Sequence, residues 1–214
     1  MSIRGGQHLS GRFTVMGSKN AAGPLLAATL LLRGETRFRH IPRLTDILHL
    51  LEIMQDMGAR VEWMGDHELL VDTKNLDGSG LDKKKMKRMR YSILLLGPML
   101  GRFQRVVVPE PGGCTIGNRP IDTHLTALQG LGATIQTDSS NCLVMEAKML
   151  KGAEIILPEF SVTATENLIM AAVVANGKTS IRLAATEPHV QALCRFLKAC
   201  RARIRGIGTH KLEI

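Results

Sequence analysis

Aromatic side chains are scarce, with one Trp, one Tyr and five Phe. A surface that reads single-stranded nucleic acid by stacking bases needs more rings than this, so nucleic acid is not an expected partner despite a formal charge of +9. Cysteines are few as well. Cys114, Cys142, Cys194 and Cys200 form no CxxC pair and have no His at ligand spacing, which argues against a zinc site and against a disulfide framework. Long apolar runs are missing: the longest, Leu25 to Leu32 with only Thr29 interrupting it, is too short to span a bilayer, so no membrane partner is expected. Met1 to Gly11 shows no basic region followed by an apolar one, and the expectation is a cytoplasmic protein. With 21 Gly, 8 Pro and 22% charged residues, the chain is neither collagen-like, coiled coil nor wholly disordered.

What is present is enough apolar material for a core, 44% of 214 residues, in one ordinary domain or two very small ones. The basic balance, 28 Lys and Arg against 19 Asp and Glu, suits phosphorylated metabolites. Comparing the chain with itself reveals a repeat. Leu51 to Val61 resembles Leu125 to Ile135 and, more weakly, Leu193 to Ile204, each reading as an amphipathic helix, a tight turn and an entering strand. The turn recurs at Gly58, Gly132 and Arg201, spacings of 74 and 69 residues. Upstream of each lies an apolar helix ending near Gly, then a short strand and Pro: Leu25 to Gly34 with Thr36 to Ile41, Ser92 to Gly101 with Gln104 to Val108, and Asn167 to Gly177 with Thr179 to Leu183. These three helices are apolar nearly all round and must be buried on every side. The predicted architecture is therefore α/β, an inside-out arrangement with a central bundle of helices and the strands wrapped outside.

Each buried helix starts with polar residues: Gly17-Ser18-Lys19-Asn20, Lys87 to Ser92, and Ser161 to Asn167, where Thr163 and Glu166 have capping-box spacing. If the three starts converge, their N–H groups and macrodipoles make a site for anions, reinforced by Lys19 and Arg90. Taken singly, such short motifs are more simply helix caps. The stretch Pro109 to His124 is different, a glycine-rich loop carrying Cys114, Arg119, Asp122 and His124 ahead of a helix. A thiol beside Arg119 has its thiolate favoured, which suits nucleophilic or proton-transfer work. Cys142, Cys194 and Cys200 read as inert, and the run Lys83 to Arg88 as a solvated face.

Five ordered motifs carry a resemblance: Gly17-Ser18-Lys19-Asn20-Ala21-Ala22, Arg90 followed by Ser92, Pro111 to Gly117, Arg119-Pro120-Ile121-Asp122-Thr123-His124, and Ser161 to Thr165. With these the chain resembles, over its whole length, the UDP-N-acetylglucosamine 1-carboxyvinyltransferases (enolpyruvyl transferases) of bacterial peptidoglycan synthesis. The resemblance implies transfer of the enolpyruvyl group of phosphoenolpyruvate to the 3-hydroxyl of UDP-N-acetylglucosamine, with no metal or organic cofactor. It implies that Cys114 is the reactive thiol and the residue alkylated by fosfomycin. Lys19, Asn20 and Arg119 would contact phosphoenolpyruvate. Arg90, Arg119, Pro120, Ile121, Asp122 and Thr123 would hold the sugar nucleotide, with Glu159, Phe160, Ser161, Val162 and Thr163 at its diphosphate. Glu159 departs from the Lys that several members carry there.

The implied fold is an inside-out α/β barrel domain of three repeated units, residues 18–214. Residues 1–17 would form an N-terminal strand that packs with a second domain missing from this chain. Because that domain supplies a catalytic Asp and a closing Arg in the family, the chain alone is expected to be inactive. The alternatives are a 5-enolpyruvylshikimate-3-phosphate synthase-like transferase and a non-catalytic module that binds nucleotide sugars or regulates.

Overall fold

A computed structural model describes residues 2–6, 8, 10–88, 90–109 and 120–214. The helices are α1 (Lys19–Ala28), α2 (Thr45–Asp56), α3 (Lys83–Arg88), α4 (Leu96–Phe103), α5 (Asp122–Gly130), α6 (Val162–Ala172) and α7 (Pro188–Ala199). The strands are β1 (Glu35–Phe38), β2 (Arg60–Trp63), β3 (Leu69–Asp72), β4 (Arg105–Pro109), β5 (Thr134–Thr137), β6 (Cys142–Glu146), β7 (Glu154–Ile156), β8 (Ser180–Arg182) and β9 (Lys211–Glu213). Short 3-10 segments extend α1 at Thr29–Leu31 and precede α4 at Arg90–Leu95.

The repeat is visible in the sheets. The first two units each build an antiparallel sheet with the third strand in the middle, β1-β3-β2 and β4-β6-β5. The third sheet runs β7-β8-β9, with β7 parallel to β8. The strand expected after the third turn shrinks to a single bridge, Arg205 to Glu213, because Gly206 and Gly208 at positive φ curl the chain away at once. β7, from the linker into the unit, occupies the other side of β8 instead.

The apolar helices lie inside, as their lack of a polar face requires. Every residue of α6 from Ala164 to Ala172 is buried, and α4 packs directly on it. α5 and α7 also pack on α6, and α1 packs on α2 and α7. Contact between α4 and α6 is close enough that a Cβ on Gly97 would run into the Asn167 backbone. Asn167 uses its amide fully there: Oδ1 accepts from Gly97 N at 2.6 Å, and Nδ2 donates to the carbonyls of Ile93 and Thr163 at 3.0 and 2.9 Å. Arg102 joins the first two units, donating to the carbonyls of Leu30, Leu32, Thr73 and Lys74.

Three expectations change in detail. The second buried helix is broken, with 3-10 turns up to Leu95 and α-helix from Leu96, which places Pro98 in the first helical turn where its missing N–H costs nothing. Thr163 and Glu166 form no capping box: α6 starts earlier, its N-cap is Ser161, and Ser161 Oγ accepts from Ala164 N at 3.4 Å. Around Gly11 to Met16 the chain forms no strand, and Phe13 and Val15 stand 87% and 77% exposed.

Candidate functional site

Four helical starts place the predicted residues. At the head of α1, the Ser18 side chain caps the helix by accepting from Ala21 N at 3.3 Å. Lys19 follows, its ammonium 2.6 Å from the carboxylate of Asp46 in the first turn of α2, each side chain over a third exposed. The same ammonium lies 5.5 Å from the centre of the Tyr91 ring. Asn20 is exposed beside it.

Next to Tyr91, Arg90 donates to the Pro120 carbonyl at 3.1 Å, which fastens the start of the second buried helix to the entrance of α5. Asp122 stands in the first turn of α5, and no side chain caps that end. Thr123, nearly buried, donates to Glu159 at 2.9 Å, and His124 shares a 2.7 Å hydrogen bond with Thr163 in the first turn of α6. Through these three links Arg90, Pro120 to Thr123, Glu159 and Thr163 become neighbours, with Ser161 and Val162 at the same helical start. Phe160 faces elsewhere, its ring edge-on to His210 with centroids 4.9 Å apart.

Burial, with the Arg90 charge, pushes the His124 imidazole down to about 4, so near neutral pH it is an uncharged donor or acceptor to Thr163. Burial and the nearby Glu187 carboxylate push Glu166 the other way, to about 8. Two hollows border the site: one of about 350 Å³ between Pro120 to Asp122 and the β5–β6 hairpin at Thr137 and Asn141, another of about 280 Å³ between Phe160, Val162 and Glu187. A larger hollow of about 620 Å³ lies away from these residues, at the C-terminal ends of α6 and α7. Among the described residues no group of His, Cys, Asp and Glu could hold a metal ion.

Cys114 and Arg119 fall outside the described residues. Asp46 and Tyr91 were not picked out as individual site residues by the sequence, and His124 was seen only as a member of the Pro109 to His124 loop. The pairing of Asp46 with a lysine 27 positions earlier follows no helical or strand period. For Tyr91 a signal existed: Gly23, inside an otherwise apolar helix, marks a close approach.

The UDP-N-acetylglucosamine 1-carboxyvinyltransferases of Helicobacter pylori and Cellvibrio japonicus are each 42% identical to this chain, over 214 and 212 residues. The chain spans about half the length of these curated relatives, 51% and 50%. Among solved structures, the enolpyruvyl transferase NikO from Streptomyces tendae superposes with a TM-score of 0.84 at 21% identity, covering 98% of this chain and 49% of that one. EPSP synthase from Acinetobacter baumannii superposes at 0.73 and 23% identity, over 95% of this chain and 46% of that one. These likenesses show the fold, the inside-out enolpyruvyl transferase domain. Since the family model of EPSP synthase (3-phosphoshikimate 1-carboxyvinyltransferase) matches residues 3–214, the chain belongs to that family of transferases.

Proposed function

We propose that this chain is the nucleotide-sugar-facing half of a UDP-N-acetylglucosamine 1-carboxyvinyltransferase, a cytoplasmic enzyme of peptidoglycan synthesis. The observation that carries the reading is 42% identity along the full chain to relatives of that name, whereas the EPSP synthase structure stands at 23%. The clustering of Arg90, Pro120 to Thr123, Glu159 and Thr163 supports it.

In this reading the sugar 3-hydroxyl gives its proton to a base as its oxygen bonds to C2 of phosphoenolpyruvate, while C3 takes a proton. The C2–O bond to phosphate then breaks, a proton leaves C3, and inorganic phosphate departs. Lys19 and Arg119 neutralise the phosphate and carboxylate while Asn20 offers an amide donor, work that suits cations and helix N-termini because charge builds on the departing phosphate. Cys114 supplies the proton or adds covalently to C2. Pro120 to Thr123 receive the uridine end, beside the hollow at Thr137 and Asn141. Glu159 to Thr163 lie along the diphosphate. Glu159 is an unusual neighbour for an anion, and its carboxylate accepts a hydrogen bond from Thr123 at 2.9 Å. No cofactor takes part. The remaining catalytic groups belong to a second domain, and neither nucleic acid nor a membrane is a partner; no helix among the described residues is long and apolar enough to cross one.

Calorimetric titration with UDP-N-acetylglucosamine, with shikimate 3-phosphate and a DNA duplex as controls, tests the ligand class. Selective binding of the nucleotide sugar is expected, and a preference for either control would overturn the reading. Fosfomycin should add one mass equivalent to the peptide containing Cys114 and none after Cys114→Ser.

A further inference from the structure

The phenol of Tyr91 is built into the first turn of α1. Its hydroxyl donates to the Lys19 carbonyl at 2.7 Å and lies close against Gly23 one turn further on. Gly23 makes this possible, since a Cβ there would run into the hydroxyl and the ring. Pro24 has no N–H to offer the Asn20 carbonyl, so the opening of α1 depends on support from outside itself. The ring whose hydroxyl holds the Lys19 carbonyl also faces the Lys19 ammonium at 5.5 Å, and the Asp46 carboxylate lies 2.6 Å from the same ammonium. A half-exposed ion pair alone holds a long side chain loosely.

We propose that Tyr91 is a positioning residue for Lys19: its hydroxyl fixes the backbone of residue 19, its ring steadies the ammonium, and Gly23 is the socket that admits it. One aromatic side chain from the second unit thereby sets both the place and the direction of a cation in the first. Naming phosphoenolpyruvate as the anion that meets Lys19 rests on the function proposed above; the geometry of Tyr91, Gly23 and Lys19 does not.

The test compares the protein with Tyr91→Phe, which keeps the ring, and Tyr91→Leu, which removes ring and hydroxyl. Two readouts are used: the side-chain NMR signals of Lys19, and affinities for phosphoenolpyruvate and UDP-N-acetylglucosamine. The ring-current displacement of the Lys19 ε-methylene signals should persist in the Phe variant and vanish in the Leu variant. Phosphoenolpyruvate affinity should fall about threefold in Phe and about tenfold in Leu, with the nucleotide sugar held within about twofold in both. Gly23→Ala should reproduce the Leu result by expelling the ring. Lys19 signals unmoved by Tyr91→Leu would overturn the proposal, as would affinities for both ligands falling in step. A preference of the unaltered protein for shikimate 3-phosphate would overturn the function reading, while the Lys19 signals would still decide the positioning role.

Discussion

Arg201 occupies the turn position that Gly58 and Gly132 fill in the first two units, and all three have left-handed φ, 76°, 94° and 91°. A Cβ is strained in that region, and the Arg201 side chain is exposed. Arg201→Gly should therefore raise stability by about 1 kcal/mol, an increase of about 2–4 °C in a thermal melt. An unchanged or lower midpoint would mean that the arginine makes up for its backbone by some other contact. The turn itself was legible from the repeat, although its third copy had lost the glycine. Lys19, Arg90, Thr123 and Thr163 were legible for the same kind of reason, since each sits in a short contiguous motif. Asp46 and Tyr91 were not, because their value lies in partners 27 and 72 residues away that no local period connects.

At the level of elements, the three apolar helices announced their own burial, and the alternation of helix and strand announced the three units. Hidden from the pattern were the break before Leu96, which depends on where Pro98 sits within a turn, and the strand lost to Gly206 and Gly208. Hidden too was the closeness of α4 to α6, which comes from Gly97 and Asn167 meeting across 70 positions. Gly97→Ala forces a methyl into the Asn167 backbone. The expected loss is about 2–3 kcal/mol in urea unfolding, larger than an exposed helical Gly would show, where Ala stabilises. A stabilised Ala variant would show that the helices can part at little cost.

For the molecule as a whole, two buried groups set opposite pH dependences. The unfolded chain protonates His124 near 6.5 and the folded chain only near 4, so stability falls as pH drops between those values. Glu166, 2% exposed, keeps its proton in the folded chain up to about 8 against 4.5 when unfolded, so stability falls as pH rises through that window. Glu166→Gln should add about 3 kcal/mol to the unfolding free energy at pH 7 and almost nothing at pH 4. Denaturant titrations across this range would expose the error if the alkaline decline survived the substitution.

The three units share one interior, and Arg102 draws carbonyls of the first into the second. Unlike the stacked repeats of a solenoid, which touch only their neighbours, none of these can be cut away without laying bare the helices of the other two. A peptide of one unit, left in water with a helix that has no wet side, could hide it only by gathering two more copies of itself around the same axis.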